Sequence, residues 1–169
     1  MTHGPRYFVK PRRRREGKTD YRKRLSLLRS GKTRMVVRKS LKNTQVQFVK
    51  YKEEGDNVIV SANSKELKDK FNWKFSTSTT PAAYLTGLLA GTRAKEKGIS
   101  ECVLDMGRYP ASSGCKIFAA LKGIIDAGLV CPYSEEKLPN EDRIMGKHLD
   151  KEIASSVNDI KNKIIGGNK

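Results

Sequence analysis

The feature that most restricts this chain is where its charge lies. Residues 1 to 50 hold 17 Lys or Arg against Glu16 and Asp20, a net of +15, whereas the remaining 119 residues hold 18 bases and 16 acids. Like charge at that density does not pack against itself, so the sequence reads as a basic front on a nearly neutral body. With 37% hydrophobic residues over 169 positions, the body suffices for one domain with a real core. A mean hydropathy of -0.63 points to extensions that stay outside it.

A net charge of +17 calls for an anionic partner, either nucleic acid or an acidic membrane. The longest apolar-looking stretch, "PAAYLTGLLAG" from Pro81 to Gly91, falls well short of the roughly 20 residues a spanning helix needs. The start, "MTHGPRYFVKPRRRR", has no apolar segment of the kind a secretory signal requires, so the expected location is the cytoplasm. Nucleic acid is the better match. Arg12 to Arg15 present planar forks of donors that fit phosphate oxygens and stack on bases.

Cys102, Cys115 and Cys131 are odd in number and widely spaced, and form neither a disulfide framework nor a CxxC zinc pair. His3 and His148 are far from them in sequence, so no metal and no cofactor is expected. Two catalytic look-alikes also fail. "SLLRSGKT" ends like a phosphate-binding loop, but Ser26 stands in place of its first glycine and the order is helix, loop, strand. Asp105 lacks the companion carboxylates of metal-dependent phosphodiester chemistry and reads as a cap or salt-bridge partner.

Along the chain, Asp20 is placed to cap a helix to about Ser30, closed by Gly31, with Tyr21, Leu25 and Leu28 as an anchoring stripe. Arg22 and Arg29 flank that stripe, and Lys23 and Arg24 point elsewhere, so one face docks while the others reach for phosphate. "TRMVVRKSL", "TQVQFVKY" and "NVIVSA" predict an antiparallel meander. Its outward positions carry Arg34, Arg38, Lys39 and Lys42, which extend the basic surface.

A helical piece from Ser64 to about Phe71 follows. Thr79 or Thr80 then caps a helix over Ala82 to Lys97, whose small residues Ala83, Gly87 and Gly91 are expected to pack closely on the sheet. "ISECVLDM" reads as a buried strand and a helix is expected from about Ser112 or Ser113 to Gly128, placing Gly107, Arg108 and Tyr109 where α/β folds hold ligands. The tail carries a helical stripe of Leu149, Ile153, Val157, Ile160 and Ile164, able to dock on the body or on a neighbour. The predicted organisation is a basic arm and short helix over 1–31, an α/β core over 32–138 and a partly helical extension over 139–169. The fold class is α/β, a small mixed sheet flanked by helices.

Several of these blocks are familiar in the same order. "KTDYRKRLSLLRSGKTRMVVRKSLKNTQVQFV", "AAYLTGLLAGTRAKEKGI", "LDMGRYPASSGCKIFAALKGIIDAGL" and "CPYSEEKLP" resemble the universal large-subunit ribosomal protein eighteen family, in its archaeal and eukaryotic branch. The likeness runs from about Tyr7 to about Leu149, and the compact length is closer to archaeal members than to eukaryotic ones with a long carboxyl-terminal extension. The resemblance implies a non-catalytic protein that binds 5S rRNA and helps hold it to the large-subunit rRNA in the central protuberance, beside neighbouring ribosomal proteins, with no membrane and no small-molecule substrate.

On the same resemblance, the RNA-binding block falls on Arg12, Arg13, Arg14, Arg15, Lys18, Tyr21, Arg22, Lys23, Arg24, Arg29, Lys32 and Arg34. The strand-to-helix loop adds Gly107, Arg108, Tyr109, Ser112 and Ser113. Tyr7, Phe8 and Tyr21 are candidates for base stacking, although its place on the apolar stripe assigns Tyr21 first to the core. A general DNA-compacting protein and an RNA-modifying enzyme are the competing classes. Duplex DNA competition tests the first and turnover on rRNA the second.

Overall fold

The computed structural model of the chain describes residues 4–166, with Lys151 as backbone alone; His3 lies outside that range. Four strands form one sheet: β1 (Thr33–Lys39), β2 (Thr44–Lys52), β3 (Gly55–Asn63) and β4 (Cys102–Asp105), in the order β3-β2-β1-β4. The first three are the expected antiparallel meander and β4 runs parallel to β1. Seven α-helices are described: α1 (Arg12–Arg15), α2 (Tyr21–Arg29), α3 (Lys65–Phe71), α4 (Thr80–Glu96), α5 (Lys116–Asp126), α6 (Glu141–Ile144) and α7 (Lys151–Gly166). A single 3-10 turn covers Glu135–Lys137.

Strand alternation decides which face is core. Met35, Val37, Val46, Phe48, Val60 and Ala62 are all buried and turn toward the main helical layer. Residues of the other parity on β1, namely Arg34, Val36 and Arg38, belong to the opposite face. α4 starts where the hydroxyl run ends: the Thr79 side chain accepts from the Ala82 amide at 3.4 Å, and Pro81 occupies the first turn. Thr77 donates to the Lys42 carbonyl at 2.7 Å, tying the same run to the β1–β2 turn.

α4 is buried on nearly every side because the sheet, α5, α6 and α7 surround it. Its small residues face a helix, which corrects the expectation of a sheet partner. A Cβ on Gly87 would lie 2.0 Å from the Ala120 carbonyl oxygen of α5, and one on Gly123 of α5 would lie 2.2 Å from the Tyr84 carbonyl oxygen. Reciprocal glycines therefore let α4 and α5 meet backbone to backbone. The Tyr84 hydroxyl donates to Asp126 at 2.8 Å across the same contact. Burial first, and that bond to Asp126, hold the phenol protonated well above its ordinary range.

The tail docks on the body. Ile153, Val157, Ile160 and Ile164 of α7 are buried in the same cluster as Leu85 and Leu88 of α4. Each such side chain is worth roughly 1.5–3 kcal/mol of burial. Leu149, expected on that stripe, lies before α7 and is exposed. Cys102 and Cys131 are buried and free, with the Cys102 amide donating to the Val130 carbonyl at 3.0 Å. Hydrogen bonding to Cys131 and burial push the Cys102 thiol up.

The outer strand β3 is closed by side chains rather than by another strand. Arg93 of α4 donates to the Ser61 carbonyl at 2.8 Å, and Lys97, just after α4, to the Ile59 carbonyl at 2.6 Å. Arg93 also grips Glu66 of α3, with its Nη2 2.6 Å from Oε2. Burial pushes the Glu66 carboxyl up, but the Arg93 bonds and the Asn63 amide outweigh it and hold the group below the ordinary glutamate range. Among the described residues no helix is long and apolar enough to cross a membrane.

Candidate nucleic-acid interface

The basic front is ordered along the open face of the sheet. α1 is one turn made wholly of Arg12, Arg13, Arg14 and Arg15, none of them buried. Lys18 pairs with Glu16 at 2.8 Å, and Arg13 donates through Nε to the Thr19 hydroxyl at 2.8 Å, bending the arm back toward α2. Asp20 caps α2 as expected, accepting from the Arg22 and Lys23 amides at 3.0 and 3.2 Å. The Lys23 amide bond is the main reason its carboxyl sits below the ordinary aspartate range.

α2 docks differently from the stripe its sequence suggests. No residue of α2 is buried, Leu25 is 53% exposed and Tyr21 is 39% exposed, so Tyr21 is not a core staple. The docked side is instead set by Arg24, whose Nη2 lies 2.9 Å from Asp56 at the start of β3, and by Leu27, which overhangs the sheet. Partial burial pushes the Asp56 carboxyl up; the hydrogen bond from Arg24 and the adjacent positive charge of Arg34 hold it below its ordinary range.

Between α2 and the sheet lies a cavity of about 1040 Å3. Its lining gathers many of the sequence candidates: Arg13, Lys18, Tyr21 and Lys23 from the arm and α2, then Arg38, Arg108 and Tyr109 from the sheet end. The Arg108 guanidinium reaches across to donate to the Gly17 carbonyl, closing one end of the cavity. Tyr109 donates to the Lys39 carbonyl at 2.8 Å, and the Lys39 ammonium stands 5.2 Å from its ring centre. Among the described residues no group of three or more His, Cys, Asp or Glu could hold a metal ion.

Arg34 corrects the expectation of an outward side chain. It is 2% exposed, with Nη1 3.0 Å from Asp105 Oδ2 and Nη2 2.8 Å from Asp56 Oδ2. Its strand parity does place it on the open face, but two carboxylates and the overlying helix cover it. Arg38, on the same face one pair further, keeps a half-open guanidinium that donates to the Val37 and Asp105 carbonyls at 2.9 and 3.2 Å.

The remaining candidates sit outside the cavity. Arg12, Arg14, Arg15, Arg22 and Arg29 are exposed, and Lys32 pairs with Glu101 at 2.5 Å. Ser112 and Ser113 are exposed in the β4–α5 loop and do not begin the helix. Gly114 adopts φ +67°, a left-handed turn that breaks helical continuation, so α5 starts only at Lys116 behind Cys115. Asp56 was missed as a site residue. Its one signal is its place at the start of β3, level with Tyr51 of β2, which says nothing about the helix above it.

Comparison with known proteins places this arrangement in a family. Residues 5–100 and 92–134 match the family model described as "Ribosomal large subunit proteins 60S L5, and 50S L18". The chain is 54% identical over 149 residues to the large ribosomal subunit protein uL18 of Korarchaeum cryptofilum, covering 88% of this chain and 76% of that protein. It is 53% identical to the uL18 of Aeropyrum pernix, covering 88% and 70%, and 52% identical to that of Methanothermobacter thermautotrophicus, covering 88% and 77%.

Proposed function

The chain belongs to the family of ribosomal large subunit proteins 60S L5 and 50S L18, and from that premise we propose that it binds 5S rRNA as a structural, non-catalytic constituent of the large subunit. There it helps attach 5S rRNA to the large-subunit rRNA in the central protuberance, in the cytoplasm. The observation that carries this reading is the 54% identity to an archaeal uL18 over 88% of the chain.

The geometry supplies a means. Folded RNA crowds phosphates more densely than a globular surface can approach, and a narrow arm reaches between helices where a whole domain does not. Arg12 to Arg15 wound into one exposed turn point guanidinium groups in several directions at once. α2 adds Arg22 and Arg29, exposed outside the cavity, and Lys23, exposed at its edge. Arg108, Tyr109, Ser112 and Ser113 continue the surface at the end of β4, and the far side of α7 is left to neighbouring ribosomal proteins.

Binding of the full chain to folded 5S rRNA across a salt series, with equal-length duplex DNA as competitor, tests the proposal. Neutralisation of about six phosphates gives a log–log salt slope of roughly -4 to -5. Preference for the RNA near physiological salt is the expected result. Equal loss of both complexes would reduce the protein to a general polyanion binder.

A further inference from the structure

The cavity under α2 is built for more than charge. Its apolar surface comes from Leu27 above and Val36, Val49 and Val58 below, whereas its rim is cationic. Seven Lys or Arg side chains line it against three aspartates. Those three carboxylates are already committed: Asp20 to helix amides, Asp56 to Arg24 and Arg34, Asp105 to Arg34 and Arg38. The charge left to a visitor is positive.

Within the same lining, Arg34 carries a donor with nothing to donate to. Its Nε is buried and has no hydrogen-bond partner, and Nη2, though 2.8 Å from Asp56, is not aligned for a hydrogen bond. A buried donor left unmade is costly, and an incoming acceptor recovers that cost.

We propose that this cavity receives one unpaired nucleotide of the bound RNA, its base on the Val36, Val49 and Val58 floor and its phosphate at the Arg13 and Arg108 rim. An acceptor on the base edge meets Arg34 Nε. A phosphate alone would satisfy the rim but not the apolar floor, and an apolar protein side chain would satisfy the floor but leave the rim and Arg34 unmet. A nucleotide has both chemistries in one group, and unpaired, unstacked bases are what proteins read in folded RNA. α2 sits over the cavity without a buried residue, held by Arg24–Asp56 and by the Arg108 bond to Gly17, so it can shift to admit a base. The assignment rests on the RNA-binding reading above and deepens it.

The test uses the full chain and folded 5S rRNA substituted with 4-thiouridine or 6-thioguanosine, photo-crosslinked at zero length and mapped by peptide. Crosslinks to peptides holding Leu27, Val49 or Tyr109 are expected. Leu27→Trp fills the cavity from its roof without touching a charge, and should weaken 5S rRNA binding about tenfold with a salt slope shallower by no more than about 1. A mixture of the four nucleoside monophosphates, equimolar with the RNA, should leave the crosslinks in place; displacement would overturn the assignment to a nucleotide held within the chain. If Leu27→Trp melts without cooperativity, the wild-type crosslink map decides. RNA that binds wild type and variant alike, with crosslinks on the arm alone, overturns the cavity assignment and leaves the proposed function standing. Failure of the wild type to bind 5S rRNA at all overturns both.

Discussion

Arg34 on β1 and Asp105 at the end of β4 lie 3.0 Å apart, an ion pair buried between the sheet and α2 and separated by 71 residues of chain. The two are not equally dependent on each other. Asp105 also receives the Gly107 amide at 2.8 Å and stands 3.8 Å from Arg38, whereas Arg34 has only Asp56 besides.

That asymmetry predicts unequal costs. Asp105→Ala leaves a guanidinium that is 2% exposed with Asp56 as its one remaining carboxylate and should destabilise the fold by about 3 kcal/mol. Arg34→Met leaves Asp105 with its remaining partners and replaces the charge by an apolar chain of similar length, so it should cost clearly less. Urea denaturation of the two variants side by side checks the order; equal midpoints would show that the pair is not what holds this face.

The helix pair gives a steric prediction. Gly87→Ala drives a methyl to within 2.0 Å of the Ala120 carbonyl oxygen, a backbone atom that cannot swing away. The cost should reach about 3 kcal/mol, which lowers the thermal midpoint of a chain this size by about 6–12 °C. Gly123→Ala should behave alike, and calorimetry of both variants measures it.

Not all of this was legible in the sequence, and the division has a physical cause. Alternation in "TQVQFVKY" and the caps Asp20 and Thr79 are local signals, and the structure keeps the meander and both helix starts. The tail stripe of Ile153, Val157, Ile160 and Ile164 is likewise one helix seen along its own period. Arg34 was misread because its burial depends on Asp56 and Asp105, brought in by different strands. The side on which α2 docks was misread for the same reason, since Arg24 finds its partner 32 residues on. Small residues on α4 announced a close approach, but only the matching Gly123 on α5 says from which neighbour.

The Glu66–Arg93 pair makes the fold sensitive to acid in a defined window. The Glu66 carboxyl is held below its ordinary value of 4.5, so its contribution is complete above that pH and is lost as pH falls through the lower folded value. Glu66→Gln should therefore cost about 1–2 kcal/mol at pH 7. The gap between variant and wild type should narrow as pH falls below 4.5. Urea titrations at pH 7, 5 and 3 follow it, and a gap that stays constant with pH would remove the ion pair as its source.

The arginine turn separates binding from folding. α1 buries nothing, so replacing Arg12, Arg13, Arg14 and Arg15 by Ala should leave the melting curve unchanged. The salt slope for 5S rRNA should become shallower by up to about 3, at roughly 0.7–0.9 for each phosphate that is no longer neutralised. A slope unaltered by all four substitutions would move the phosphate-binding surface off the arm.

The Arg93 and Lys97 bonds to the β3 carbonyls bear on the protein before it meets any RNA. An outer strand with open acceptors is a template on which a second copy of the same chain can add its own strand, and that addition repeats without limit. Here two cations at the carboxyl end of α4 occupy the acceptors and also place like charge where a copy would approach. Free chains should therefore tolerate crowding with one another and stay single until a polyanion collects them.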